Sequence, residues 1–275
     1  MTTFADADFD TAREYLTGKD SYGFDDLLLI VRMLRSPRGC PWDREQTHSS
    51  IRADLLEETY ELAEAIDLDS TELLREETGD VLLQTVLHSQ ISSEEGRYDM
   101  NDVVNELCNK LIIRHPHVFG TATAEGSGEA LANWDAVKSA TKGRKTVSDK
   151  MRSVARTLPA LMRADAVGAK SKKASFDFNS PEEAAAKVRE ELGEVMSAVA
   201  QGGNVEEEIG DLLFSAVNLA RVAGVEPEEA LTRATDKFID RFTALEKLSE
   251  DMGADIASLG QRKADELWEK IKKNH

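Results

Sequence analysis

The sequence predicts an all-α protein made of two tandem helical-bundle modules. Helix formers dominate long stretches, and no alternating Val/Ile/Thr run reads as a strand. Only six prolines interrupt the chain, and aromatic residues make up just 6% of it. An acidic pattern in the first half also returns, in order, in the second half.

Helices are expected at 22–35, 47–67, 70–95, 100–115, 128–140, 158–172, 181–201, 204–224, 227–251 and 261–273. Several starts have a physical cause. Asp99-Met100-Asn101-Asp102 opens one helix with acids, which favour the positive end of the helix dipole. Asn179-Ser180-Pro181-Glu182-Glu183 supplies an N-cap, a proline in the first turn and early carboxylates. Gly202-Gly203 and Gly224 read as stops. The polar stretch from Ser139 to Asp149 has no helical apolar stripe and reads as the connection between the halves. The expected organisation is an N-terminal extension at 1–20, a first module at 21–140, a linker at 141–157 and a second module at 158–275.

A chain of 275 residues, 41% apolar and 31% charged, can bury a core in each of two modest domains. No apolar run approaches the ~20 residues that span a bilayer, and Met1 to Asp10 is acidic, without a basic n-region or apolar h-region. Neither a secretory signal nor a membrane partner is expected. The two cysteines, Cys40 and Cys108, have no zinc or CxxC spacing and read as reduced thiols of a cytoplasmic protein. A net charge of −18 repels polyanions, so nucleic acid is not an expected partner. A small phosphate ligand remains accessible when divalent cations bridge the two.

The repeat is the most informative feature. Glu57-Glu58-Thr59-Tyr60-Glu61 and then Glu76-Glu77-Thr78-Gly79-Asp80 in the first half match Glu190-Glu191-Leu192-Gly193-Glu194 and then Glu207-Glu208-Ile209-Gly210-Asp211 in the second. Downstream, Asn109 to Arg114 parallels Asp236 to Arg241, and Asn133 to Lys138 parallels Leu267 to Lys272, each of the last two with a tryptophan at its second position. One acidic helix resembles another by chance; four ordered matches do not arise that way.

Residues three or four apart share a helix face. Glu191 and Glu194 are therefore neighbours on one helix, and Glu208 and Asp211 on the next. The short connection through Gly202-Gly203 makes those helices antiparallel, so four carboxylates converge. Glu58, Glu61, Glu77 and Asp80 repeat the arrangement. Like charges at helical spacing each cost roughly 0.2–0.5 kcal/mol in water and more when buried. A divalent ion reverses the sign, and an oxygen-only ligand set favours Mg²⁺ or Mn²⁺ over zinc. The chemistry implied is metal-assisted attack of water on a phosphoanhydride. Glu194 or Glu191 is placed to accept the proton, and spacing does not separate a base from a metal ligand.

This pattern resembles the MazG family, within the all-α NTP pyrophosphatases. The resemblance covers about 23–140 and 158–273 and leaves the first ~20 residues outside it. The acid signature alone is shared across that superfamily. Gly39-Cys40-Pro41-Trp42-Asp43 and Arg114-His115-Pro116-His117-Val118-Phe119 look like first-module hallmarks of two-module members. The resemblance implies a Mg²⁺-dependent enzyme, with Mn²⁺ able to substitute, hydrolysing NTP to NMP and pyrophosphate as a homodimer, mainly in the second module. It implies that Glu191, Glu194, Glu208 and Asp211 hold the metal, that Lys187, Lys237 and Arg241 face the triphosphate, and that Trp268 lies against the nucleotide. The residues add a reason for the second module. Lys187 lies one turn before Glu191, whereas the same place before Glu58 holds Asp54, of the wrong charge. Where relatives can carry a further lysine before the second acid pair, this chain has Asn204.

Other readings are blander. Trp42 is expected to pack, and His115 and His117 to serve at a helix end. Trp268 divides between core anchor and stacking platform. Cys40 has no base partner at a recognisable spacing and is not read as a nucleophile. Two rival functions remain: a hydrolase selective for dUTP or a damaged nucleotide, which differs only in its base pocket, and a non-catalytic Mg-nucleotide sensor or interaction module.

Overall fold

A computed structural model describes residues 6–122, 126–130, 134 and 146–274. Among them the regular elements are all helices, as expected. The chain divides into two compact units, Met1–Lys138 and Ser139–His275.

The first unit contains α1 (Asp6–Thr17), α2 (Phe24–Leu34), α3 (Pro41–Glu45), α4 (Arg52–Asp67), α5 (Thr71–Glu94), α6 (Met100–Arg114) and α7 (Pro116–Phe119). The turn from Leu68 to Ser70 is too short for anything but an antiparallel α4–α5 pair. Ser70 caps α5 by accepting from the Leu73 N–H, and Asp99 closes a capping box at α6. Val31, Ile51, Val86, Leu87, Ile91 and Met100 form the core between α2, α5 and the start of α6. The extension at 1–20 contributes α1, which the sequence reading did not expect; Ala12 and Leu16 bury against Met33, with Phe9 beside them.

Arg35 explains how the Gly39–Asp43 motif is held. Its guanidinium forks onto Glu94 at 2.8–3.2 Å and donates to the carbonyls of Asp43 and Gln46. Trp42, expected to pack, is 59% exposed, because α3 is one short helix tethered by its backbone rather than by its indole. His115 caps α6 as expected, its Nδ1 donating to the Leu111 carbonyl at 2.7 Å.

The second unit contains α8 (Val147–Arg152), α9 (Ala160–Lys172), α10 (Pro181–Gln201), α11 (Val205–Val222), α12 (Pro227–Asp251), α13 (Ile256–Leu259) and α14 (Gln261–Asn274). Ser180 caps α10 with Pro181 in its first turn, and Gly202 ends it at φ 75°, a left-handed conformation that suits glycine. Asn204 caps α11 through the Glu207 N–H. Only Gly202 to Asn204 separate α10 from α11, and the pair packs antiparallel. Arg221 near the end of α11 forks onto Asp177, in the segment leading into α10, at 2.6–2.7 Å. A smaller core of Leu245, Leu267 and Ile271 joins α12 to α14.

Within the stretch read as linker, Thr146 and Asp149 form a capping box that starts α8. The helix expected at 128–140 lies largely outside the described residues, as do Asn133 and Asp135 to Lys138 of the repeat. Among the described residues no helix is long and apolar enough to cross a membrane.

Candidate active site

In the second unit, carboxylate oxygens of Glu191, Glu208 and Asp211 lie within 4.8 Å of one another. The cause is local. Glu191 sits on α10, Glu208 and Asp211 are three apart on α11, and the tight connection brings the two helices side by side. Glu191 is 5% exposed, and its Oε2 is buried without a hydrogen-bond partner. Glu194, one turn further along α10, adjoins the group. The charge of Glu191 foremost, then burial, then the side-chain contact with Glu191 and the charge of Glu208 hold its carboxyl above the ordinary range.

Lys187 meets this cluster directly. Its ammonium lies 2.6 Å from Glu191 Oε1 and 2.8 Å from Glu190 Oε1. Those bonds, the one to Glu190 first, push its pKa above the usual lysine range.

The first unit repeats the geometry. Oxygens of Glu58, Glu77 and Asp80 lie within 4.8 Å of one another. Burial first, and then the neighbouring acids including Glu61, hold Glu58 and Glu77 above the ordinary carboxylate range. In place of a lysine, α4 carries Asp54 one turn before Glu58.

The remaining expected residues form separate groups. Lys237 is exposed and Arg241 half-buried on α12, with Arg241 Nε buried and unpartnered. Among the described residues neither makes an ion pair with these acids within 4.0 Å. Trp268 on α14 packs against the Leu245–Leu267–Ile271 core, its ring 5.2 Å from that of Phe238. In the first unit, Lys110 is exposed, while Arg114 is buried and lies over the Trp134 ring at 5.0 Å. A cavity of about 620 Å³ lies at the far end of α5 from its acids, lined by Arg32, Arg35, Ser89, Glu94 and Asn101 among others. The sequence reading missed this cavity and the His48–His88 contact, whose Nδ1 atoms are 2.8 Å apart, because its partners are 40 positions distant.

Two close trios of acids from paired helices, one with an ammonium against it, can hold a hard cation and face an anionic substrate. The comparisons agree with that chemistry. The family model for the MazG nucleotide pyrophosphohydrolase domain matches residues 46–119 and 179–244. The chain is 44% identical over 249 residues to the nucleoside triphosphate pyrophosphohydrolase/pyrophosphatase MazG of Thermotoga maritima, covering 90% of this chain and 95% of that one. It is 41% identical over 254 residues to the nucleoside triphosphate pyrophosphohydrolase of Escherichia coli K12, covering 90% and 97%. A Bacillus subtilis protein, YabN, is 41% identical over 250 residues, covering 88% of this chain and 50% of that one. The chain belongs to the MazG family of nucleotide pyrophosphohydrolases.

Proposed function

We propose that the chain is a nucleoside triphosphate pyrophosphohydrolase that splits NTPs and dNTPs into the nucleoside monophosphate and pyrophosphate, mainly through its second module. The observation that carries this reading is the meeting of Glu191, Glu208 and Asp211 from two antiparallel helices, with the Lys187 ammonium against Glu191. Relatives matched over nine-tenths of the chain bear the name of this reaction.

A divalent cation fits the donor set. The ligands are all carboxylate oxygens, and the buried Oε2 of Glu191 lacks a partner. Mg²⁺, with Mn²⁺ able to substitute, would be held by Glu191, Glu194, Glu208 and Asp211, and in the first module by Glu58, Glu61, Glu77 and Asp80. When bound, the cation neutralises charge on the acids and on the substrate phosphates. The side chains do the rest. Lys187, Lys237 and Arg241 bind phosphate oxygens through charge-assisted hydrogen bonds. Glu194 or Glu191 accepts the proton of the attacking water. Trp268, half-buried beside Phe238, offers its remaining ring surface to the base. Asp54 in place of a lysine supports assigning turnover to the second module.

The reading includes a homodimer. Leu192, Met196, Ile209, Leu213, Phe214 and Phe238 are large, apolar and exposed on the acid-bearing helices and on α12. A second copy would cover them. The two unpaired cysteines suit the reducing cytoplasm. Product analysis tests the reaction: NMP with pyrophosphate supports it, and NDP with phosphate contradicts it.

A further inference from the structure

We infer that Lys187 is a built-in counter-cation that competes with the divalent ion, so that the second module takes up its metal together with a nucleotide rather than before it. The inference rests on the assignment of Glu191, Glu208 and Asp211 as ligands.

Three observations carry it. Glu191 is 5% exposed and uses only one oxygen internally: Oε1 is 2.6 Å from the Lys187 ammonium, and Oε2 is buried without a partner. The carboxylate is thus half-neutralised by the lysine and half-prepared for another cation. Second, the ammonium has somewhere to go. Lys187 is 37% exposed on its side chain, at the solvent side of α10, and is shared with exposed Glu190 at 2.8 Å. It can therefore turn from the buried acid without unfolding anything. Third, the equivalent position of the first module is Asp54, so the competing cation belongs to one module of the repeat and not to the fold.

The physical consequence follows from charge. A divalent ion approaching Glu191 without nucleotide meets a positive charge already bonded to one of its ligands, and must displace it or share the acid with it. The oxygens of a triphosphate offer the ammonium a stronger anionic partner than one carboxylate. Nucleotide binding draws Lys187 off, frees both oxygens of Glu191 and lets the ion bind. Metal and nucleotide affinities are then positively coupled, and by linkage the coupling is reciprocal. Lys187 acts on the metal through Glu191, as a positioning residue, besides any contact it makes with phosphate.

The test uses the full chain without nucleotide and Mn²⁺ as the probe, with free ion counted by its electron paramagnetic resonance signal. Wild type, Lys187→Met and Lys187→Arg are titrated, each with and without Glu208→Gln. The expected result is that Lys187→Met binds one Mn²⁺ at least about tenfold more tightly than wild type, within the 5–150-fold range usual for coupled sites. Lys187→Arg, which keeps the charge, stays near wild type, and the gain disappears in Lys187→Met/Glu208→Gln. A merely structural lysine would leave affinity unchanged or weaken it on removal, and would not separate Met from Arg. If Glu208→Gln weakens Mn²⁺ binding in the wild type while Lys187→Met brings no gain, the counter-cation inference is overturned and the ligand assignment stands. If Glu208→Gln changes no titration, the ligand assignment fails and takes the inference with it.

Discussion

Replacing Glu208 with glutamine should make the metal-free protein more stable while abolishing its activity. Glu208 has carboxylate oxygens of both Glu191 and Asp211 within 4.8 Å. Two unit charges at that separation repel by about 0.9 kcal/mol in water and about 3.5 kcal/mol at the effective dielectric of ~20 that suits protein sites. The Lys187 ammonium, 2.6 Å from Glu191, cancels part of one interaction, and the half-exposed position of Glu208 adds screening. A net gain of about 1–3 kcal/mol is expected when the charge is removed and the shape kept. At roughly 2–4 °C per kcal/mol for a chain of this size, the melting midpoint rises by several degrees. The assay is thermal unfolding at pH 8, in EDTA and again in Mg²⁺ with a non-hydrolysable ATP analogue. Wild type gains stability from the ion and nucleotide by mass action, about 2.7 kcal/mol at one hundred times Kd. The glutamine variant loses most of that gain, so the stability difference narrows or inverts. A Glu208→Gln protein that melts lower than wild type in EDTA would refute the reasoning, because the acids would then be held by contacts that outweigh their repulsion.

Four further outcomes follow from the second module's packing. Arg221→Met leaves the part-buried Asp177 without its guanidinium partner and should cost up to about 3 kcal/mol, measured by urea unfolding. The Arg221 guanidinium holds Asp177 below the usual carboxylate range. Its stabilising contribution is therefore complete above the unfolded value, about pH 4, and is lost as pH falls through the lower folded value; an acid melt of wild type against Asp177→Asn reads this directly. Gly168→Val should lower the melting midpoint markedly, since a Cβ there would come 2.8 Å from Arg221 Nε and 3.0 Å from Asn218 Oδ1. Asn204→Lys removes the N-cap of α11 and should cost about 0.5–2 kcal/mol. If a lysine there adds phosphate contact, KM for ATP falls despite that loss; an unchanged KM would show that Asn204 lies away from the triphosphate.

The acid-bearing helices were legible because their signal is local. Caps at Ser180 and Asp99, the stop at Gly202 and the three- and four-residue spacing of the acids all act within a few residues, so the ends of α10 and α11 fall within two residues of expectation. Their antiparallel pairing was legible because the connection is short. The short helices α3, α8 and α13 span too few turns to show a periodic stripe, and were missed. α1 was missed although Phe9, Ala12 and Leu16 fall at helical spacing, because its acidic first residues obscured an apolar face of only three side chains. Long-range contacts had no local signal at all: Arg35 reaches Glu94 across 59 positions, and Arg221 reaches Asp177 across 44. The same limit applies to the site. Spacing puts Lys187 on the face of Glu191, but only the fold reveals that Glu191 is buried with one oxygen bonded to the lysine and the other unpartnered. Trp42 shows the opposite error, a residue type that usually packs but here stands exposed on a backbone-tethered turn.

Pyrophosphate release from ATP and dNTPs by Glu194→Ala and Glu61→Ala proteins, assayed side by side with Mg²⁺, bears most directly on the acids of the second module as the working site. The account predicts that Glu194→Ala is inactive while Glu61→Ala retains most of the wild-type rate. Full activity in Glu194→Ala, or loss in Glu61→Ala alone, would contradict it.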